Sequence, residues 1–196
     1  MDHTVYGTVR SRAFRVLWML EELALPYRHV PCAPRSDALL AVSALGKLPV
    51  LVVDGTALRD STAILTYLAD HHGQLTYPAG TIERARQDGW TQRILDELDA
   101  LLWTAARHSF VLPEDQRVPA VKDSLRREFA ANLERLTAEI DGPYLMGEVM
   151  TVPDILLCHC GNWAVSAKFP PAPDRFVTYA DALRARPAYV RTAALG

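Results

Sequence analysis

The chain of 196 residues is poor in cysteine, in net charge and in long apolar runs, and each shortage excludes a class. Three cysteines, Cys32, Cys158 and Cys160, make an odd number with no framework spacing. They exclude a disulfide scaffold and predict a reducing compartment. A net charge of −2 excludes the basic surface that nucleic acid or an anionic membrane attracts. No run approaches the roughly 18 apolar residues of a membrane span. Residues 1–9 contain Asp2 and no apolar signal core, so the expected location is cytoplasmic. Internal repeats and low-complexity tracts are also missing. What remains is ordinary globular composition, 49% hydrophobic and 22% charged, enough for one large domain or two small ones.

Residues 46–62 are the most informative stretch. Leu48–Val53 is a short apolar run rich in β-branched residues, which predicts a buried strand. Asp54-Gly55 is a hairpin turn signal, and Thr56–Leu58 is the return strand. Asp60 and Ser61 are favoured helix-capping types and open an apolar-periodic segment that runs to His72. Pro49 at the strand entry leaves two readings. If the Leu48–Pro49 bond is cis, the main chain of Leu48 faces outward and can pair with an extended peptide. If it is trans, Pro49 only marks a strand end. The helix start at Ser61 offers unpaired N–H groups and partial positive charge to a carboxylate, and Asp60 could take an ammonium group.

Upstream, His3–Gly7 reads as a strand, and the segment 12–24 as an amphipathic helix preceded by Ser11. Tyr27–Pro31 is a second strand, and Ala38–Ala44 a short helix. The order to residue 72 is β-α-β-α-β-β-α, that of a thioredoxin-like module. Residues 75–80 are rich in turn formers and read as a linker between domains 1–74 and 81–196. Beyond it the pattern is helical only: Thr81–Phe110, Val121–Ile140, Ile155–Ala167, Arg175–Arg184 and Pro187–Ala194. Thr151-Val-Pro-Asp154 is a near capping box at the start of the most apolar of these. The expected class is therefore α/β followed by all-α.

The chain resembles the glutathione transferases over essentially its whole length. The residues that carry the resemblance are Gly46-Lys-Leu-Pro49-Val-Leu, Asp60-Ser61-Thr-Ala-Ile, and Gly147 with Thr151-Val-Pro-Asp154-Ile. It favours a cis Pro49 and implies cytosolic members of bacterial, serine or theta-related type. It also implies detoxification chemistry, with glutathione as co-substrate, a small hydrophobic electrophile as second substrate, and no further cofactor or metal. The glutathione main chain would pair with Leu48 beside Pro49, its γ-glutamyl carboxylate would meet Ser61, and its ammonium Asp60. Lys47 and Arg35 could reach the glycine carboxylate or be solvated surface charges. A two-fold homodimer is implied as well. A glutathione-dependent peroxidase, or a relative that binds glutathione or hydrophobic ligands without turnover, are the alternatives.

The sulfur needs a donor, because a thiol of pKa about 8.5 is only a few per cent ionised at neutral pH. Ser11 stands where serine-type members hold theirs. Tyr6 is the rival, since other members use a tyrosine nearby, and Thr8, Arg12 or a backbone amide complete the candidates. Trp103, Arg107, His108 and Phe110 are the second-substrate candidates, with Trp163 weaker. The chain stops at Gly196, where longer members fold a tail over the cleft, so an open site is expected. Cys158-His159-Cys160 lies on the buried helix, where positions 158 and 160 point apart and read as core. His71-His72 ends a helix, where partial positive charge would suit the dipole.

Overall fold

The computed structural model describes all residues from Met1 to Gly196. The first half forms strands β1 (His3–Tyr6), β2 (Arg28–Val30), β3 (Val50–Val53) and β4 (Thr56–Arg59), with helices α1 (Ala13–Glu22), α2 (Asp37–Leu40) and α3 (Ser61–His72). The sheet order is β2-β1-β3-β4. β1 runs parallel to β2 and antiparallel to β3, which pairs antiparallel with β4. Val5, Val50 and Leu51 are fully buried, as are Leu17 and Leu20 of α1 and Ile64, Leu65 and Leu68 of α3. The thioredoxin-like order expected from the apolar periodicity is thus the observed one. Helix α2 is shorter than the expected 38–44, because residues past Leu40 wind into turns up to Gly46.

The second half contains α4 (Ile82–Ile94), α5 (Ala100–Ala106), α6 (Val121–Ala138), α7 (Val152–Ser166), α8 (Asp174–Arg184) and α9 (Pro187–Ala193). The expected helix 81–110 is one rod interrupted by two π-helical segments, Leu95–Asp99 and Arg107–Val111. Each has a side-chain donor on a helix carbonyl. Asn132 Nδ2 donates to the Glu97 carbonyl at 2.8 Å, and Ser109 Oγ to that of Ala105 at 2.7 Å. Such donors compete for the i−4 ladder and favour local rewinding. No helix is long and apolar enough to cross a membrane.

By contact the chain divides into two units, Met1–Ala79 with Leu183–Gly196, and Gly80–Ala182. The segment after Leu183 therefore belongs with the sheet. Arg186 donates twice to Glu22 at 2.7 Å, Trp18 Nε1 adds a third bond to that carboxylate, and Arg191 meets Glu21 at 2.6 Å. Tyr189 sits edge-on to Phe14 and Trp18, with ring centroids 5.1 and 5.0 Å away.

In the second unit, α7 starts on the expected capping box. Asp154 is fully buried. Its Oδ1 accepts from Leu145 N–H and Tyr179 Oη, and its Oδ2 from the N–H and hydroxyl of Thr151, at 2.7–3.2 Å. Burial pushes the Asp154 carboxyl up, while these four donors oppose it. Burial and the adjacent carboxylate hold the Tyr179 hydroxyl well above its ordinary value, so it stays a donor. Gly161 lets α8 approach: a Cβ there would stand 2.3 Å from Phe176 Cζ. Cys158 and Cys160 are fully buried on α7, and Cys160 Sγ lies 3.9 Å from Asp99 Oδ2.

Two outcomes follow from this packing. Asp154→Ala strands four buried donors and should lower the unfolding free energy by about 3–5 kcal/mol in denaturant titration, whereas Thr151→Ser should cost under about 1 kcal/mol. The second concerns His72. Burial, followed by His71 and His3, lowers its pKa from 6.5, so the environment outweighs the helix dipole that favours a charged ring. A histidine held neutral contributes stability that is complete above pH 6.5 and is lost as the pH falls through its folded value. The wild type should therefore lose stability more steeply than His72→Gln below pH 6.5; parallel stability curves would refute the assignment.

Candidate functional site

Strand register gathers the candidate residues of the first unit at one end of the sheet. Tyr6 pairs with Val50, and Val50 with Arg59. The end of β1, the entry to β3 and the end of β4 therefore lie side by side. Gly7 follows β1, Leu48-Pro49 precede β3 and Asp60-Ser61 follow β4 directly in sequence.

The Leu48–Pro49 peptide bond is cis. Pro49 is buried and Leu48 half-buried. The N–H and C=O of Leu48 belong to no strand ladder and bond to nothing else in the chain. An unpaired donor and acceptor on one residue beside a sheet can take an extended peptide main chain. Lys47 is exposed next to them. Arg35, exposed with a φ of 60°, donates its backbone N–H to the Gly46 carbonyl at 3.0 Å, which sets it beside Lys47.

Helix α3 begins at Ser61 with Asp60 as its cap. Asp60 adopts a φ of 68°, and its Oδ1 accepts from the N–H groups of Thr62 and Ala63 at 2.9 and 3.1 Å. Oδ2 stays open, so the capping carboxylate still has an acceptor for a cation. Ser61 is almost wholly buried, and its Oγ accepts from Arg15 Nη1 at 3.2 Å. With an acceptor site filled, the hydroxyl hydrogen of Ser61 remains for an anion.

Ser11 lies just before α1. Its Oγ donates to the Thr8 carbonyl at 2.8 Å and accepts from Ala13 N–H at 3.1 Å. The hydroxyl is therefore a helix cap as well as a candidate donor. Gly7 brings it to the strand: a Cβ there would lie 2.7 Å from Ala13 Cβ, 3.3 Å from Leu48 Cδ2 and 3.4 Å from Ser11 Oγ. With a φ of 134°, only glycine suits this crossing. Tyr6 is half-buried at the end of β1, and its hydroxyl has no hydrogen-bond partner. Thr8 contributes its carbonyl to Ser11, and Arg12 is half-buried at the helix boundary.

The remaining candidates belong to the second unit. Trp103 is half-buried in α5, and Arg107 is exposed at the start of the second π-helical segment. His108 Nδ1 accepts from Val118 N–H at 3.1 Å, and Phe110 is 71% exposed. Trp163 lies half-buried on α7, its ring 6.4 Å from that of His159.

Sequence reasoning overlooked Arg15 and Gly7. Arg15 has no exposed surface, although it stands in a run of eight buried residues, Ala13–Leu20. A lone cation inside an apolar helical run is the signal that could have found it.

Residues 5–76 match the family described as "Glutathione S-transferase, N-terminal domain". The chain is 29% identical over 168 residues to glutathione S-transferase 3 of Schizosaccharomyces pombe, covering 76% of this chain and 68% of that relative. It superposes with a TM-score of 0.86 on a glutathione transferase of Methylococcus capsulatus, at 24% identity, covering 97% of this chain and 96% of that one. A theta class glutathione S-transferase of Xanthomonas axonopodis pv. citri, with glutathione bound, superposes with a TM-score of 0.78 at 25% identity, again covering 97% and 96%. The sheet order, the open main chain beside Pro49, the capped start of α3 and these matches agree: residues 5–76 belong to the N-terminal domain family of the glutathione transferases, and the chain as a whole is similar to them in sequence and fold.

Proposed function

We propose that the protein joins the thiolate of glutathione to small hydrophobic electrophiles. The observation that carries this reading is the convergence of Ser11 Oγ and the Leu48 side chain on Gly7, at the sheet end where Ser61 opens α3. Glutathione, bound in the Xanthomonas relative, is an extended peptide-like anion with a thiol. In this reading its backbone pairs with the free N–H and C=O of Leu48. Its γ-glutamyl carboxylate takes the hydroxyl and the main-chain N–H of Ser61, since the N–H groups of Thr62 and Ala63 are already held by Asp60. Its ammonium takes Asp60 Oδ2, and Lys47 and Arg35 attract its glycine carboxylate. Trp103, Arg107, His108 and Phe110 receive the electrophile. The protein acts as a cytoplasmic homodimer, a state that sedimentation at micromolar concentration checks.

Ser11 is the sulfur donor in this reading. Its hydrogen now points to the Thr8 carbonyl and has to turn to the sulfur. A bond to a charged acceptor gives about 1.5–3 kcal/mol, and the neutral bond it replaces about 0.5–1.5. The net gain is on the order of 1–1.5 kcal/mol, or about one pKa unit of thiol activation.

Two measurements test this function. In calorimetry Ser61→Ala should weaken glutathione binding by roughly 1–2 kcal/mol, and a wild type with no affinity for glutathione would sink the whole reading. In thiolate absorbance titrations Ser11→Ala should raise the pKa of bound glutathione by about one unit and slow turnover at neutral pH about tenfold, with recovery at high pH. Binding should change little. Tyr6→Phe is the matched control, and a shift seen there instead would move the donor to Tyr6. A shift in neither, with binding intact, would mean that the protein holds glutathione without these hydroxyls activating it.

A further inference from the structure

Residues 107–118 form a closed loop whose ends are joined through one side chain. Ring atom Nδ1 of His108 accepts from the main-chain N–H of Val118 at 3.1 Å, ten residues on, and the ring has no other partner. A main-chain amide can only donate, so Nδ1 must carry a lone pair and the proton resides on Nε2. Inside the loop, Arg117 Nε donates to the Leu112 carbonyl at 2.8 Å and the Leu112 N–H to the Arg107 carbonyl at 3.0 Å. Those bonds do not titrate near neutrality. The bond from Val118 depends on the protonation state of the ring, because a protonated ring offers N–H at both nitrogens and accepts nothing.

We propose that the His108–Val118 bond is an acid-released latch on the loop 107–118. Imidazole is the side chain whose charge changes between pH 5 and 8. Protonation sets the Nδ1 hydrogen against the Val118 hydrogen, so the latch opens while the Arg117 bonds persist. The charged residues nearest to it in sequence are Arg107, Glu114, Asp115 and Arg117 on the loop, and Lys122 and Asp123 on the first turn of α6; Asp123 is paired with Arg126. Helix α5, which leads into the loop, carries none. None of these groups bonds to the ring. Opening frees the C-terminal side of a loop whose apolar residues Phe110, Val111 and Val118 are 71%, 45% and 55% exposed. This inference is independent of glutathione chemistry.

Amide hydrogen exchange on the full chain, corrected for the intrinsic pH dependence of exchange, tests it. In the wild type the protection of Val118 N–H should fall roughly two- to tenfold between pH 8 and pH 5, the span expected for one modest hydrogen bond. Leu112 N–H, bonded within the same loop, should keep its protection and so reports general acid loosening. In His108→Asn the carboxamide oxygen takes the place of Nδ1 and does not titrate, so Val118 protection should be equal at both pH values. His108→Ala should show the low value at both. Equal protection of Val118 in the wild type at pH 8 and pH 5 would overturn the latch. So would a fall in His108→Asn as large as in the wild type, or a parallel loss at Leu112.

Discussion

The bond from Arg15 to Ser61 is the constraint around which the candidate site is built. Placing a guanidinium where no water reaches it costs several kcal/mol unless its N–H groups are satisfied, so the elements that supply acceptors are held to it. Here α1 supplies the cation and the first residue of α3 supplies an acceptor, which fixes the two helices against each other at the end of the sheet where β3 begins. Ser11 lies just before α1 and Arg15 in its first turn, so the start of one helix carries both the hydroxyl near Gly7 and the cation bonded to Ser61. The group proposed to act on the sulfur and the group that holds Ser61 are thereby placed by a single rigid element. Gly7 completes the arrangement by letting that element approach the strand closely enough for Ser11 Oγ and the Leu48 side chain both to lie against Gly7.

The second unit rests on a different device with similar logic. Asp154 is a buried anion whose four donors come from three segments, the loop at Leu145, the cap at Thr151 and helix α8 at Tyr179. Each unit thus encloses a charged side chain with a partner on another element, Ser61 for Arg15 and Tyr179 for Asp154. Charges of this kind are poor sources of net stability, but they penalise every alternative packing that would leave them unpaired. The loop at residues 107–118 lies at the other extreme, closed by solvent-exposed bonds and open to local change.

How much of this could be read from the sequence follows from the range of the interactions. The strand and helix order, the bend at Pro49, the helix start at Asp60-Ser61 and the box at Thr151–Asp154 are local patterns, set by residues within a few positions of one another. Arg15 escaped because its role is defined by Ser61, 46 residues away, and its place alone in an apolar run does not say which group it binds. The first π-helical segment escaped for the same reason: Asn132, which holds the Glu97 carbonyl, arrives from another helix. At His72 a local rule gave the wrong charge preference, since the helix dipole favours a cation while burial near His3 favours the neutral ring. The roles of Ser11, Tyr6 and Lys47 rest on the resemblance and the geometry together.

The attachment of α9 to α1 has a consequence for the order in which the chain can be completed during synthesis. Arg186 and Arg191 lie 164 and 170 residues beyond the glutamates they bind, and Tyr189 covers the rings of Phe14 and Trp18. A ribosome extrudes the sheet first, yet the surface of α1 that receives α9 stays bare until residues 183–196 have emerged. The helical unit, by contrast, is contiguous in sequence and can close as soon as residue 182 is free. The part of the molecule made first is therefore the part finished last, and its aromatic face depends on something other than its own chain for cover in the interval.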